Sequence, residues 1–285
     1  LEKFETIPAV RHYLKEERRR GKSVGLVPTM GALHQGHVEL IRQSKNSTDT
    51  TVVSLFVNPI QFNSPEDLEN YPRDVVQDLE LLAREAVDVV FIPDEREMYP
   101  EAVITEFDFG PMEQILEGQF RPGHFNGVGI VVSKLLHIIQ PDDAFFGQKD
   151  LQQVTVIRRL VRDLSFDTRV VTVPTVREAN GLALSSRNRR LSKEGGDTAS
   201  LLHQTLLFCQ DELLKGGDWL SIKKQAINQK LRPASIEPEY LEMVELNRFS
   251  LISRPMSGVP YALCIAAFIE KIRLIDNIVI GEEQN

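Results

Sequence analysis

Residues 24–47 constrain the fold more than any other stretch of the chain. Val24, Leu26 and Val27 belong to a short apolar run that predicts a buried strand. An amphipathic run from Val38 through Leu40 and Ile41 predicts a helix. Between them lies Pro28-Thr29-Met30-Gly31-Ala32-Leu33-His34-Gln35-Gly36-His37, a turn of small residues that ends in two histidines. A strand that passes through a tight turn into a helix exposes unpaired N–H groups and the positive end of the helix dipole. That arrangement holds phosphate. His34 and His37, three apart, share one helix face and add two donors, while Gly36 lets a ligand approach the backbone. The same stretch also admits a helix cap or a partly buried structural pair. A zinc site would need further ligands, and none stands at suitable spacing.

The alternation continues downstream of a first helix at 8–20. Residues 51–57, rich in β-branched side chains, predict a second buried strand that ends in the loop Asn58-Pro59-Ile60-Gln61-Phe62. Helical pattern covers 65–86, broken around Tyr71-Pro72-Arg73, and strands are expected at 88–92 and 103–109. Residues 117–127 read as a loop and 128–140 as a buried helix. A strand at 143–146 turns through Gly147-Gln148-Lys149-Asp150 into a helix with Leu151, Val154, Ile157, Leu160, Val161 and Leu164 on one face. Another strand follows at 168–173. Such alternation predicts an α/β fold, a Rossmann-like doubly wound parallel sheet, over residues 1–176. Past it comes a serine- and arginine-rich connector, 182–191. Helical patterns at 192–215 and 219–231 then precede strand-like runs at 238–246, 259–269 and 272–280. Helices first and strands later predict a smaller C-terminal α+β domain, 177–285, able to close as a lid.

Composition narrows the function. A length of 285 residues suits about two domains. The net charge of −8 argues against nucleic acid as a partner, so any positive field for an anionic ligand must be local. Cys209 and Cys264, far apart and without metal-like spacing, predict buried thiols in a reducing cytoplasm. Residues 1–20 are charged and unlike a signal peptide, and the longest apolar runs are too short to span a bilayer. A cytoplasmic protein with no membrane association is expected. Gly21-Lys22-Ser23 is not a P-loop, because Glu16 stands where that motif needs glycine. Gly127-Val128-Gly129 lacks the third glycine of a dinucleotide fingerprint and does not follow a strand.

Each remaining candidate has a structural alternative. Lys149 can be a solvated lysine; Asp150 and Gln153 fit a helix-capping pair. Gln61 can be turn chemistry, and Ser185-Ser186-Arg187-Asn188 a polar hinge. His12, His137 and His203 fall in helical patterns and read as structural. Placement joins the candidates: the histidine turn, the Gln61 loop and the Lys149 turn all follow predicted parallel strands, hence one rim of the sheet. They are donors and cations, with no Ser-His-Asp set and no paired carboxylates. Such a group suits holding a polyphosphate and its leaving group.

In this setting the chain resembles the pantothenate synthetase, or pantoate–β-alanine ligase, family of the HxGH nucleotidyltransferases. The resemblance rests on VPTMGALHQGH (27–37), FVNPIQF (56–62), YPR (71–73), RPGHFNGV (121–128), FFGQKDLQQ (145–153) and REANGLALSSRN (177–188), with RLIDN at 273–277. Gln148 and Asn180 depart from the family's usual Glu and Asp. The resemblance implies ATP-dependent condensation of (R)-pantoate with β-alanine through a pantoyl adenylate, releasing pyrophosphate and then AMP. It implies catalytic roles for His34, His37 and Lys149. The ATP site would comprise Met30, Gly31, Ala32, Leu33, His34, Gln35, Gly36 and His37. It would also draw on Gly147, Gln148, Lys149, Asp150, Val176, Leu184, Ser185, Ser186 and Arg187. Gln61 and Gln153 would hold pantoate, with Asn58, Tyr71 and His124 nearby. Mg2+ would arrive on the ATP phosphates without protein metal ligands, and a homodimer is implied. The competing readings are another HxGH nucleotidyltransferase acting on a phosphorylated small molecule, and a nucleotide-binding regulator without turnover.

Overall fold

The computed structural model describes residues 1–281. Six strands form the first sheet: β1 (Glu2–Phe4), β2 (Val24–Thr29), β3 (Thr50–Leu55), β4 (Val89–Phe91), β5 (Asp143–Gly147) and β6 (Arg169–Val173). All neighbours pair in parallel, in the order β1-β4-β3-β2-β5-β6. The chain therefore steps outward from β2 through β3 to β4, then resumes on the other side with β5 and β6. The order reverses between β2 and β5, the position at which open α/β sheets bind ligands.

Alternation along each strand builds two cores. Val24, Leu26, Val52, Val89, Phe91, Ala144 and Phe146 face helices Ile7–Arg19, His124–Ile139 and Leu151–Asp163. Val27, Val53, Val90 and Phe145, one residue out of step, pack with Leu40 and Ile41 of helix Gln35–Ser47 and Leu82 of helix Val75–Arg84. Because successive side chains point to opposite faces, a sheet covered on both sides reads as continuous apolar runs.

The second sheet is antiparallel, in the order β10-β9-β7-β8, from β7 (Glu237–Glu245), β8 (Ser250–Leu251), β9 (Tyr261–Ile269) and β10 (Ile272–Ile280). One face buries Leu241, Met243, Leu263 and Ile265 with Leu202, Leu206 and Cys209 of helix Leu201–Leu214. The alternate residues Tyr240, Val244, Ala262 and Cys264 pack with Leu116 and Leu151. Cys209 and Cys264 are buried free thiols.

The molecule divides into two compact units, and the division differs from a single break at 176/177. The first unit is 1–110, 121–148 and 153–174; the second is 111–120, 149–152 and 175–285. The segment 111–120 joins the second unit through a buried polar knot. Glu117 accepts from Arg273 at 2.7 and 2.8 Å and from the Tyr240 hydroxyl at 2.8 Å, while its N–H donates to Gln152 Oε1 at 2.8 Å.

Four expectations about elements need correction. Residues 103–109 form no strand; Phe107 and Phe109 stack at 6.0 Å and pack on the first core. The 117–127 segment is not all loop, since helix Leu116–Phe120 occupies part of it and helix His124–Ile139 begins inside it. The 192–215 helix is two, Lys193–Ala199 and Leu201–Leu214, parted at Ser200, whose hydroxyl donates to Asp197 O at 2.7 Å. The α-helix begun at Trp219 ends at Ala226, and a wider π turn takes Ile227–Leu231.

Candidate active site

In the first unit, β2 delivers the chain into a turn held from outside. Gly31 (φ 78°) and Ala32 (φ 50°) both adopt left-handed backbone, which for alanine is strained. Asp78, 2% exposed in helix Val75–Arg84, offsets that strain by accepting from Ala32 N–H at 2.9 Å and Leu33 N–H at 2.7 Å. A charged acceptor in a buried place makes strong bonds of this kind. The Thr29 hydroxyl adds a second brace, donating to Ser54 O at 2.8 Å and accepting from Gly31 N–H at 3.2 Å. Ala32 and Leu33 are nearly inaccessible, so they shape the loop.

His34 is the N-cap of helix Gln35–Ser47 and His37 is its third residue. Their bonds are reciprocal: Gly36 N–H donates to His34 Nδ1 at 3.1 Å, and His34 N–H donates to His37 Nδ1 at 3.2 Å. The rings lie 4.1 Å apart, tilted 40°. A neutral imidazole that accepts at Nδ1 carries its proton on Nε2. The cap thus fixes both tautomers and makes each Nε2–H a donor at a helix N-terminus. Of the alternatives read in the sequence, the capping role is the one these bonds describe. Gln35 is exposed beside them.

After β3, Asn58 (1% exposed) and Gln61 (8% exposed) form an oriented amide pair. Asn58 Oδ1 accepts from the Tyr99 hydroxyl at 2.8 Å; Asn58 Nδ2 donates to Gln61 Oε1 at 2.9 Å and Gly127 O at 3.1 Å. Burial, aided by Glu95, raises the Tyr99 pKa, so its hydroxyl stays a donor. With its oxygen engaged, Gln61 directs Nε2 at Met30 Sδ, 3.2 Å away. His124 Nδ1 lies 2.9 Å from Gln61 O, and Tyr71 is buried edge-on to Phe62. Met30, Asn58, Gln61 and His124 are therefore brought together. Gln153 is half-buried in the first turn of helix Leu151–Asp163.

In the second unit, Val176 and Leu184 meet across a hairpin, with Leu184 N–H donating to Val176 O at 3.0 Å and Arg177 bridging Ala183. Asn180 serves its turn by accepting from Leu182 N–H at 3.1 Å. An aspartate oxygen in its place could accept the same bond. Ser185 Oγ caps the 3-10 turn Ser186–Arg190 by accepting from Arg187 N–H at 3.3 Å. Lys149, in the turn Gln148–Asp150, approaches Asp150 Oδ1 at 3.4 Å and lines a small cleft with Ser185, Asn188 and Asp276. Gly147, just before that turn, ends β5 opposite Val173.

Sequence reasoning missed Asp78, Tyr99 and the bonding of Arg177, Asp276 and Asn277. Asp78 had a signal, since it stands four residues before the buried Leu82 on one helix face.

The doubly wound sheet and its histidine-capped helix place the chain among Rossmann-like α/β enzymes. A family model described as pantoate-beta-alanine ligase matches residues 2–279. The chain belongs to the pantoate–β-alanine ligase family. It is 46% identical over 276 residues to a pantothenate synthetase of Cytophaga hutchinsonii, covering 96% of this chain and 98% of the relative. It is 43% identical over 281 residues to one of Moorella thermoacetica, covering 98% and 99%. The crystal structure of pantothenate synthetase from Thermus thermophilus superposes with a TM-score of 0.90 at 40% identity, covering 98% of this chain and 99% of that one. The pantoate-beta-alanine ligase from Francisella tularensis, complexed with beta-gamma ATP and beta-alanine, gives 0.80 at 33% identity, covering 98% and 97%.

Proposed function

We propose that this ligase condenses (R)-pantoate with β-alanine in two steps driven by ATP. A pantoate carboxylate oxygen attacks the α-phosphorus of ATP and pyrophosphate leaves. The β-alanine amine then attacks the acyl carbon of the pantoyl adenylate, loses a proton, and displaces AMP. The observation that carries this reading is the reciprocal histidine cap, which holds both rings by their Nδ1 atoms at a helix N-terminus. Donors preset where charge develops stabilise a transition state without reorganising. His34 and His37 are assigned to the phosphates, and Lys149 adds a point charge to the departing group. Met30 to His37, Gly147 to Asp150, Val176 and Leu184 to Arg187 are assigned to ATP.

Gln61 and Gln153, with Asn58 and Tyr71, are assigned to pantoate. The Gln61 amide is oriented in advance, and its Nε2 is directed at a weak sulfur acceptor, Met30 Sδ. Exchanging that sulfur for a substrate oxygen costs little. Neutral amides also suit a hydroxy acid better than a phosphorylated substrate, which would call for cations. Among the described residues no cluster of three or more His, Cys, Asp or Glu is poised to hold a metal. Magnesium is assigned to the ATP phosphates, where it keeps its waters and needs no all-protein cage. When bound it would neutralise phosphate charge. A homodimer working in the cytoplasm completes the proposal; no helix of the described residues is long and apolar enough to cross a membrane.

The test is product analysis with ATP alone, with each organic substrate, and with both. AMP and pyrophosphate should accumulate only with both, and pantoate alone should support ATP–pyrophosphate exchange. Replacing His34, His37 or Lys149 with Ala should slow that exchange by roughly 10²–10³-fold. Full exchange in all three variants would overturn the assignment.

A further inference from the structure

The 273–277 motif on β10 has no part in the chemistry above, yet two of its residues are among the least exposed polar groups in the second unit. Asp276 is 4% exposed and Asn277 is 3% exposed. Arg177 grips Asp276 with both arms of its fork, Nη1 to Oδ2 at 2.6 Å and Nη2 to Oδ1 at 2.9 Å. It also donates to Asn277 O at 3.2 Å and Gly181 O at 3.1 Å. Asp276 Oδ1 further accepts from Asn277 N–H at 2.7 Å. Arg177 roots the hairpin that runs through Ala183 and Leu184 to Ser185. On its other side, Asn277 Nδ2 donates to the backbone oxygen of Lys149 at 2.9 Å.

Two adjacent residues of one strand thus hold two things at once. Asp276 fixes the root of the Ser185 hairpin, and Asn277 fixes the backbone from which Lys149 extends. The cleft lined by Lys149, Ser185, Asn188 and Asp276 lies where these two anchored pieces meet. Stability alone does not account for a buried Arg–Asp fork, since apolar residues of similar volume often serve folding as well. What a bidentate pair adds is defined geometry.

We propose that Asp276 and Asn277 are positioning residues for adenylation, setting the Lys149 turn and the Ser185–Arg187 segment in fixed register so that both meet the ATP phosphates already aligned. This rests on the reading of Lys149 as a phosphate contact. Misplacement of a reacting group by about 1 Å costs on the order of 10²-fold, so loss of either anchor acts on rate.

The experiment is pantoate-dependent ATP–pyrophosphate exchange in the full chain, comparing Asn277→Ala, Lys149→Ala and the double variant, with urea unfolding alongside. Asn277→Ala should lower kcat by about 10–100-fold and leave the pantoate KM unchanged, the split expected for an interaction realised in the transition state. In the Lys149→Ala background the same substitution should have little further effect, because its route to the chemistry is gone. An undiminished second loss, or a kcat near that of the unsubstituted chain in Asn277→Ala, overturns the inference. Normal exchange in Lys149→Ala alone instead removes the reading beneath it, so the two failures are distinct. If Asn277→Ala does not fold, Arg177→Lys keeps the charge and loses the fork; unchanged kcat there is equally decisive against the proposal.

Discussion

His37 does for its helix what glutamate or glutamine does in the usual capping box: it reaches back from the third position to the N-cap N–H. Gln can reproduce the backward bond and cannot reproduce an Nε2–H donor in the same place, so it separates the cap from the proposed phosphate contact. His37→Gln should therefore keep the urea midpoint of the unsubstituted chain and lose ATP–pyrophosphate exchange by roughly 10²–10³-fold. His37→Ala should lose both, with stability falling by about 1 kcal/mol. Equal loss of stability in the two variants would show that the ring does more than accept. The two histidines stand out in the sequence because His-x-Gly-His before an amphipathic run is unusual. Their tautomers do not, because these follow from which atom accepts a backbone bond. Asp78 was harder still: its place on the Leu82 face signals burial, but its partner Leu33 lies 45 residues away in sequence.

Helix His124–Ile139 approaches the turn Pro59–Gln61 so closely that only glycine fits at residue 127. A Cβ there would lie 2.5 Å from Ile60 O and 2.7 Å from Gln61 Cα, both backbone atoms that cannot rotate aside. Gly127→Ala should force the two elements apart and destabilise by about 1–3 kcal/mol. Since Gly127 O also accepts from Asn58, the shift should reach the amide pair and raise the pantoate KM. Unfolding curves and saturation kinetics check both halves; a stable variant with unaltered pantoate KM would separate Gly127 from the pocket. The elements read best from sequence were those buried on both faces, such as β2, β3 and β5, whose apolar runs have no other economical explanation. The failures have physical causes. Residues 103–109 carry an alternating apolar pattern, but its purpose is to seat Phe107 and Phe109 on a core, and Phe107 N–H bonds Asn126 in place of a strand partner. β1 and β8, at three and two residues, are too short to show any period.

At the scale of the molecule, alternation of elements gave the fold class, and the site motifs followed strand ends as that class requires. The strand order and the transfer of 111–120 to the second unit depend on pairings between distant residues, such as Glu117 with Arg273, 156 positions apart. The same long-range packing makes stability depend on pH through His203. This ring lies in helix Leu201–Leu214 over Gly181, and its Nδ1 has no hydrogen-bond partner among the described residues. Burial lowers its pKa, the neighbouring Arg177 cation lowers it further, and Asp276, 3.8 Å away, only partly opposes them. The folded chain therefore binds this proton less readily than the unfolded chain, whose histidine titrates near 6.5. Between the two pKa values the unfolded state holds more protons, so unfolding free energy rises with pH across that window. The contribution is complete above about 6.5 and is lost as pH falls through the folded value. His203→Gln, which cannot titrate, should flatten this acid limb in urea unfolding series run at successive pH values. An equally steep limb in the variant would assign the dependence to other groups, and a limb of opposite sign would mean that Asp276 governs the ring.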